Sequence, residues 1–574
     1  MTETSRRITV RYAGASSGSG PLTLGQDNMI RCIRRDAPEQ INRESVWPVP
    51  DGTTLTAGLD ALRRLVERHE SLRTSFPPGP GPDGYPDRQL LGSEGRFTVT
   101  VHPAGGLDDA ELDALAASLG RADVAVPVPL DDAPRIRFTL LADGEDLLRL
   151  IAVVCHAGAD GAATALLVQD WLALAAGKEL PPVAARTPLQ IAAAEQSPQG
   201  RRKAAAALRH WARILGTGPQ VVFADSRITG PPADLATLLV RSRTAADDLA
   251  AACRRTGAGP SVVLLAAFAA LVARRADRRE LVISALSANR QRAALVDHVG
   301  TLAQDALFLL DADATDFDQL VGRAKAASLS GYWHSTLDSE QVWQLVEDSA
   351  HLRGTRFPRQ VVVNDLSLTI PAAVADAQPV PAVDPELTRL PAPPLRVRLM
   401  FTILRINGSL DFALIACPQV LDPDETDRFA RALLALLAAA AHGPVPLAGL
   451  PALADLPTAE RAGRWEWIDG CWIDLAAVRE LLDTALGTPG TPGAPARTEV
   501  ELVDGRLVAR IATEDRTLTP AAAHGAVVDA LPGRDTAMAP HYYVVRHLGP
   551  CEAPTAESGS GRDPQTAARQ AALT

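Results

Sequence analysis

Two hydrophobic periods run through this chain. A spacing near 3.6, the mark of an amphipathic helix, covers 54–70, where LDALRRLVE sets leucines on one face. It recurs at 107–120, in a helical hairpin over 187–216, and at 245–256, 260–275 and 423–441. Asp422, Asp424, Glu425 and Asp427 put negative charge at the start of the last helix, where its dipole favours it. Strands are predicted at 7–14 (RITVRYAG), 135–141 (RIRFTLL), 147–154 (LLRLIAVV), 236–242, 281–287, 306–310, 359–364, 395–405 and 410–416. Asp143-Gly144 supplies hairpin chemistry between two of them, and the Pro/Gly run 77–86 is a surface loop.

Strands and helices mix in both halves, which predicts an α/β fold with two similar lobes. The divisions expected are an N-terminal lobe over 1–185, a C-terminal lobe over 186–445 and a linker over 446–464. A small α+β unit follows over 465–550, then a Ser/Gly/Pro-bearing tail, 551–574, expected to be disordered.

Composition narrows the function classes. The 574 residues are 47% hydrophobic, enough to bury large cores. A net charge of −11, with no basic run longer than Arg201-Arg202-Lys203, argues against wholesale nucleic-acid binding. Six scattered cysteines without a CxxC pair argue against a zinc site or a disulfide framework and fit a reducing compartment. The opening MTETSRRITVRYAG has no apolar signal region. The apolar stretches 262–273 and 432–441 are shorter than the roughly 18 residues a membrane span needs. A soluble, cytoplasmic protein with no membrane partner is expected.

The candidate chemistry lies between the strand 147–154 and the helix after it, in Cys155-His156-Ala157-Gly158-Ala159-Asp160-Gly161. A histidine at the mouth of a strand-to-helix turn is partly desolvated yet reaches a cavity, where a neutral imidazole serves as a base near neutral pH. Asp160 is placed to bond backbone N–H groups or a distant arginine, and Gly161 to ease the turn. Taken alone, HxxxDG also describes a polar turn that caps a helix. Two further segments change the weight of that reading: RHESLRTSF at 68–76 and LTLGQ at 22–26.

With these segments the chain resembles a condensation domain of nonribosomal peptide synthesis, in the superfamily of chloramphenicol acetyltransferase. CHAGADG is similar to that family's HHxxxDG motif, RHESLRTSF to its second core motif, and LTLGQ more loosely to its first. Asn289-Arg290, His298-Val299-Gly300 with Gln304, and Asn364-Asp365 fall where later motifs belong, so the match spans roughly 8–445. The resemblance implies a V-shaped pseudodimer with a tunnel between its lobes. Two substrates would meet there on the phosphopantetheine arms of acyl or peptidyl carrier proteins, with no cofactor bound by the chain itself. It implies His156 as general base or orienting group, Asp160 paired with Arg290 to hold the turn, and Gly161 giving close backbone approach. Arg68 and Arg73 carry over as fold-supporting residues.

Cys155 departs from the family, which has a first histidine there. Successive strand residues point to opposite faces, so Cys155 is expected to face away from the His156 cavity. That makes it structural support rather than a catalytic thiol. No Gly-Gly-x-Ser carrier segment is present, so the carriers are expected in trans. Residues 465–550 resemble the small C-terminal subdomain of AMP-forming adenylating enzymes in VDGRLVARI, LTP and LPGRDTAMAP. The chain has no lysine after Lys325, however, so a remnant used for packing or docking is expected. The alternatives are an acyl-CoA-dependent acyltransferase of the same superfamily and a catalytically silent platform that docks carriers.

Overall fold

The computed structural model describes residues 5–367, 383–392, 395–453, 455–487, 495, 497–548 and 555–573. Alternating strands of the N-terminal half build a five-stranded sheet in the order Arg6–Ala13, Glu94–Pro103, Ile136–Asp143, Asp146–Val154, Arg43–Trp47. The pairs are antiparallel except Glu94–Pro103 with Ile136–Asp143. One face packs the helices Leu55–Arg68 and Gly161–Ala175 through Leu62, Leu65, Val66, Leu167 and Trp171, all fully buried. Each such side chain contributes about 1.5–3 kcal/mol on leaving water. The other face packs the helix Asp109–Val124 through Leu112 and Ala116.

The C-terminal half builds a seven-stranded sheet in the order Gln304–Asp311, Glu280–Ser287, Val361–Asp365, Leu399–Arg405, Leu410–Ala416, Ala236–Ser242, Glu386–Pro391. Its strands are buried over long runs, as in Leu410–Ala416, because the helices Arg243–Thr256, Pro260–Ala276, Phe317–Trp333 and Pro423–His442 share one core with them. The helix Pro260–Ala276 is buried from Val263 to Val272, which explains its continuous apolar run. Among the described residues no single helix is long and apolar enough to cross a membrane.

Residues 465 onward pair Arg497–Val503, Arg506–Thr513, Tyr542–His547 and Thr555–Gly559 into a four-stranded sheet, covered by the helices Leu475–Leu486 and Pro520–Asp529. This unit is bonded into the C-terminal lobe. Asp535 receives Arg398 Nε at 3.0 Å and Gln360 Nε2 at 2.8 Å, and both ion-pair partners are buried. Arg353 pairs with Asp469 at 2.7 Å, and Arg278 lies 4.5 Å over the Trp467 ring. Gly354 sits at φ +76, and a Cβ there would crowd the Ala539 carbonyl.

The tail corrects the expectation of disorder over 551–574. Its described part holds the strand Thr555–Gly559 and the helix Pro564–Ala571, anchored by Arg569 to Asp348 at 3.0 Å and by Arg562 to the Leu352 carbonyl at 2.7 Å. A polar composition failed as a guide because the strand adds to an existing sheet edge, where main-chain bonds replace side-chain burial. The helix Leu24–Arg35 and the strands Arg43–Trp47, Glu94–Pro103 and Glu386–Pro391 were not anticipated.

Candidate active site

The strand Asp146–Val154 ends between two neighbours: Val154 pairs with Ile136 on one side and with Arg43 on the other. Its last five residues are buried, and Cys155 N–H then donates to the Arg135 carbonyl at 2.9 Å. The chain turns at once, with Gly158 N–H donating to the Cys155 carbonyl at 2.8 Å. A Cβ on Gly158 would overlap the Arg135 side chain, so that turn requires glycine. Cys155 lies in a small core with Ile30, Phe76 and Val128 and is almost wholly buried.

His156 is half-buried, and its Nδ1 is enclosed without a hydrogen-bond partner. Burial, then the positive charge of Arg43, outweigh the pull of Asp160 and lower the imidazole pKa to about 4. The ring is therefore neutral across the physiological range. With Nδ1 enclosed, Nε2 is the nitrogen available to a substrate. Gly161 opens the helix Gly161–Ala175, and a Cβ there would meet nothing within 4 Å. Its backbone is not in the left-handed region, so a left-handed turn is not what places glycine there.

Asp160 faces the other way and is fully engaged. Its Oδ1 caps the helix by accepting from Ala163 N–H at 2.9 Å. Its Oδ2 accepts from Arg290 Nη1 at 2.8 Å, Leu302 N–H at 2.8 Å and Ala303 N–H at 3.0 Å. Burial raises the carboxyl pKa, but Arg290 and these N–H groups more than reverse it, and the net shift is downward. Arg290 goes on to the carbonyls of His298 at 3.1 Å and Gly300 at 3.0 Å. This one carboxylate ties the turn of the N-terminal lobe to the loop 298–303 of the C-terminal lobe. Asp160 is thus a buckle between the two segments.

The remaining motif residues are supports. Arg68 Nε and His69 Nε2 converge on Asp170 Oδ2 at 2.8 and 2.9 Å, joining the helices Leu55–Arg68 and Gly161–Ala175. Arg73 is buried and donates to the carbonyls of Ser16 and Gly92. Thr23 and Gln26 form a capping box on the helix Leu24–Arg35, and a Cβ on Gly25 would overlap the Thr301 carbonyl, so this first motif is a lobe-to-lobe contact. His298 is buried against the Arg186 carbonyl at 2.7 Å, and Asp365 accepts from Ser261 and Ser367.

One neighbour of His156 was not foreseen. Arg43 opens a short edge strand 113 residues upstream by number and carries no local signature. Residues paired across antiparallel strands share a face, so Arg43 lies on the face of Val154, two residues before His156. A cavity of about 730 Å³ lies far from this turn, lined by His351, Pro520, Arg562 and Pro564 at the C-terminal unit. No His/Cys/Asp/Glu cluster among the described residues has metal-binding geometry.

Residues 53–444 match the family model described as Condensation domain. The chain is 33% identical over 264 residues to phosphinothricin tripeptide synthetase PhsC of Streptomyces viridochromogenes, covering 44% of this chain and 24% of that protein. It is 27% identical over 329 residues to surfactin synthase subunit 2 of Bacillus subtilis, covering 56% of this chain and 9% of the relative. The chain thus spans a quarter or less of these relatives' own lengths. Among solved structures, the condensation domain of the monacolin K polyketide synthase MokA superposes with a TM-score of 0.61 at 15% identity, over 75% of this chain and all of that one. The first condensation domain of the calcium-dependent antibiotic synthetase gives 0.57 at 19% identity, over 75% and 98%. These similarities fix the fold as the two-lobed chloramphenicol acetyltransferase-like α/β architecture.

Proposed function

This chain belongs to the Condensation domain family, and from that premise we propose that it joins a carrier-bound acyl thioester to an amine or hydroxyl acceptor in secondary-metabolite biosynthesis. The observation that carries the reading is His156: neutral, with Nδ1 enclosed and unpartnered, which leaves Nε2 for a substrate. For an amine acceptor, the nitrogen lone pair attacks the thioester carbonyl and the C–N bond forms. The nitrogen's proton passes to His156 Nε2 as the C–S bond breaks, and the departing thiolate takes that proton to leave as the free thiol. His156 acts by holding the acceptor in line and receiving the proton.

Cys155 packs into a core, so the missing first histidine removes nothing from the open side of the turn and lends no support to a silent platform. An acyl-CoA donor would need the same histidine; RHESLRTSF favours carriers, supplied in trans. For residues 465–573 we infer a fixed packing role rather than adenylation, supported by the buried Asp535–Arg398 pair.

Intact-protein mass spectrometry of the chain with acyl-loaded and acceptor-loaded carriers tests this, with His156→Ala in parallel. Transfer by wild type and none by the variant is expected. Equal transfer by both, or none by either while the carriers still bind, would overturn the reading.

A further inference from the structure

The helix Pro198–Thr217 carries Arg201, Arg202, Lys203, Arg209 and Arg213 and no acidic residue, in a chain of net charge −11. Its apolar side, with Ala207, Trp211 and Leu215, is buried against Val342 and Leu345. Arg202, Arg209 and Arg213, spaced by seven and four residues, share the opposite face, and all three are exposed. Among the described residues none of these three side chains makes a hydrogen bond or an ion pair.

The helix Phe317–Trp333 ends beside it. The His210 ring stacks on His334 with centroids 4.6 Å apart, and Lys203 Nζ donates to Thr336 Oγ1 at 2.9 Å. As the numbers rise along one segment they fall along the other, so the two run in opposite directions. In each, the residue just before a contact is turned about a quarter turn away from it: Arg202 before Lys203, Arg209 before His210, Trp333 before His334. For neighbours that run in opposite directions, that step turns both to the same outer side. Leu329, one turn before Trp333, extends the apolar part of this surface. Leu329 and Trp333 are 69% and 72% exposed, the two most exposed large apolar side chains among the described residues.

Single exposed apolar side chains are ordinary. A tryptophan and a leucine beside three uncompensated arginines have instead the composition of an interface centre, where tryptophan and arginine are enriched. A second copy of this face would bring like charges together. Two apolar side chains are also too few to seat a helix in a bilayer surface, which takes a longer apolar stripe. An acidic, partly apolar protein surface satisfies both kinds of side chain. The three arginines span about 16 Å along their helix. Over that length a partner helix presents carboxylates at matching spacings of four and seven, and guanidinium forks match carboxylates in two parallel bonds.

We propose that Arg202, Arg209 and Arg213 with Leu329 and Trp333 form a docking site for an acidic amphipathic helix of a partner protein. Its carboxylates lie on the arginines and its apolar face on Trp333. The site is independent of the reaction at His156.

The test uses the full chain and two synthetic helical peptides with one shared leucine stripe, the first with glutamate and the second with glutamine at the polar positions. Affinity is read by the anisotropy of the labelled peptides. Contact is read by the ¹⁹F signal of 5-fluorotryptophan at Trp333, assigned by its loss in Trp333→Phe. The glutamate peptide should bind saturably, shift that signal, and bind about 10-fold more tightly than its twin, as three exposed charge pairs allow. Arg209→Gln combined with Arg213→Gln should erase most of that preference. Trp333→Ala should weaken both peptides by about 10-fold. All these side chains are exposed, so the denaturation midpoint should not move. No binding of the glutamate peptide, equal binding of the twins, a preference that survives in the double variant, or an unmoved Trp333 signal would overturn the proposal. Binding of phosphatidylserine vesicles through the same residues, without peptide binding, would assign the face to a membrane surface and overturn it as well.

Discussion

Two arginines flank the same seven-residue turn, and they are in opposite states. Arg290 spends Nη1 and Nη2 on Asp160 and on the carbonyls of Ala288, His298 and Gly300, joining the lobes. Arg43 spends none. The histidine and the aspartate of the turn divide in the same way: Asp160 accepts four hydrogen bonds, while His156 keeps a buried nitrogen unpaired. Buried polar groups that are hydrogen-bonded hold the fold. On this contrast the open half of the turn carries the chemistry and the closed half carries the architecture.

Breaking the closed half should have the largest effect on stability. Asp160→Ala leaves the largely enclosed Arg290 without its counter-ion and should cost about 3–5 kcal/mol, read as a lowered denaturation midpoint with loss of all activity. Asp535→Ala strands Arg398 in the same way and should cost a similar amount, which would show the C-terminal unit to be part of one cooperative fold. Next comes the open half. His156→Ala should slow transfer by at least about 100-fold while the denaturation midpoint stays near that of wild type. Cys155→Ala removes one buried sulfur and should cost about 1–2 kcal/mol through the cavity it leaves, with transfer retained.

The smallest effect sharpens the contrast electrostatically. His156 should titrate near 4 rather than at its ordinary 6.5. Removing a positive neighbour favours the imidazolium, so Arg43→Gln should raise that value, as read by histidine ¹³C shifts against pH. A value near 6.5 in wild type would contradict the enclosed site.

The closed half was more legible in the sequence than the open one. Asp160 and Arg290 each sit in a motif with a strand before it, and the structure brings them to 2.8 Å. Cys155 could be turned from the cavity by strand alternation alone. Arg43 offered no such handle. It begins a five-residue edge strand, and only the pairing of that strand with Asp146–Val154 brings it to His156. Gly161 was legible as a glycine, though its backbone is outside the left-handed region. The docking of residues 465–573 was hidden as well. Asp535 and Arg398 lie far apart in the chain, and neither is marked by its neighbours as half of a buried pair.

The most direct test measures single-turnover acyl transfer and the denaturation midpoint on the same preparations of wild type, His156→Ala and Asp160→Ala. His156→Ala is expected to lose transfer at an unchanged midpoint, and Asp160→Ala to lose both. Transfer that persists in His156→Ala, or a folded Asp160→Ala with a wild-type midpoint, would contradict that expectation.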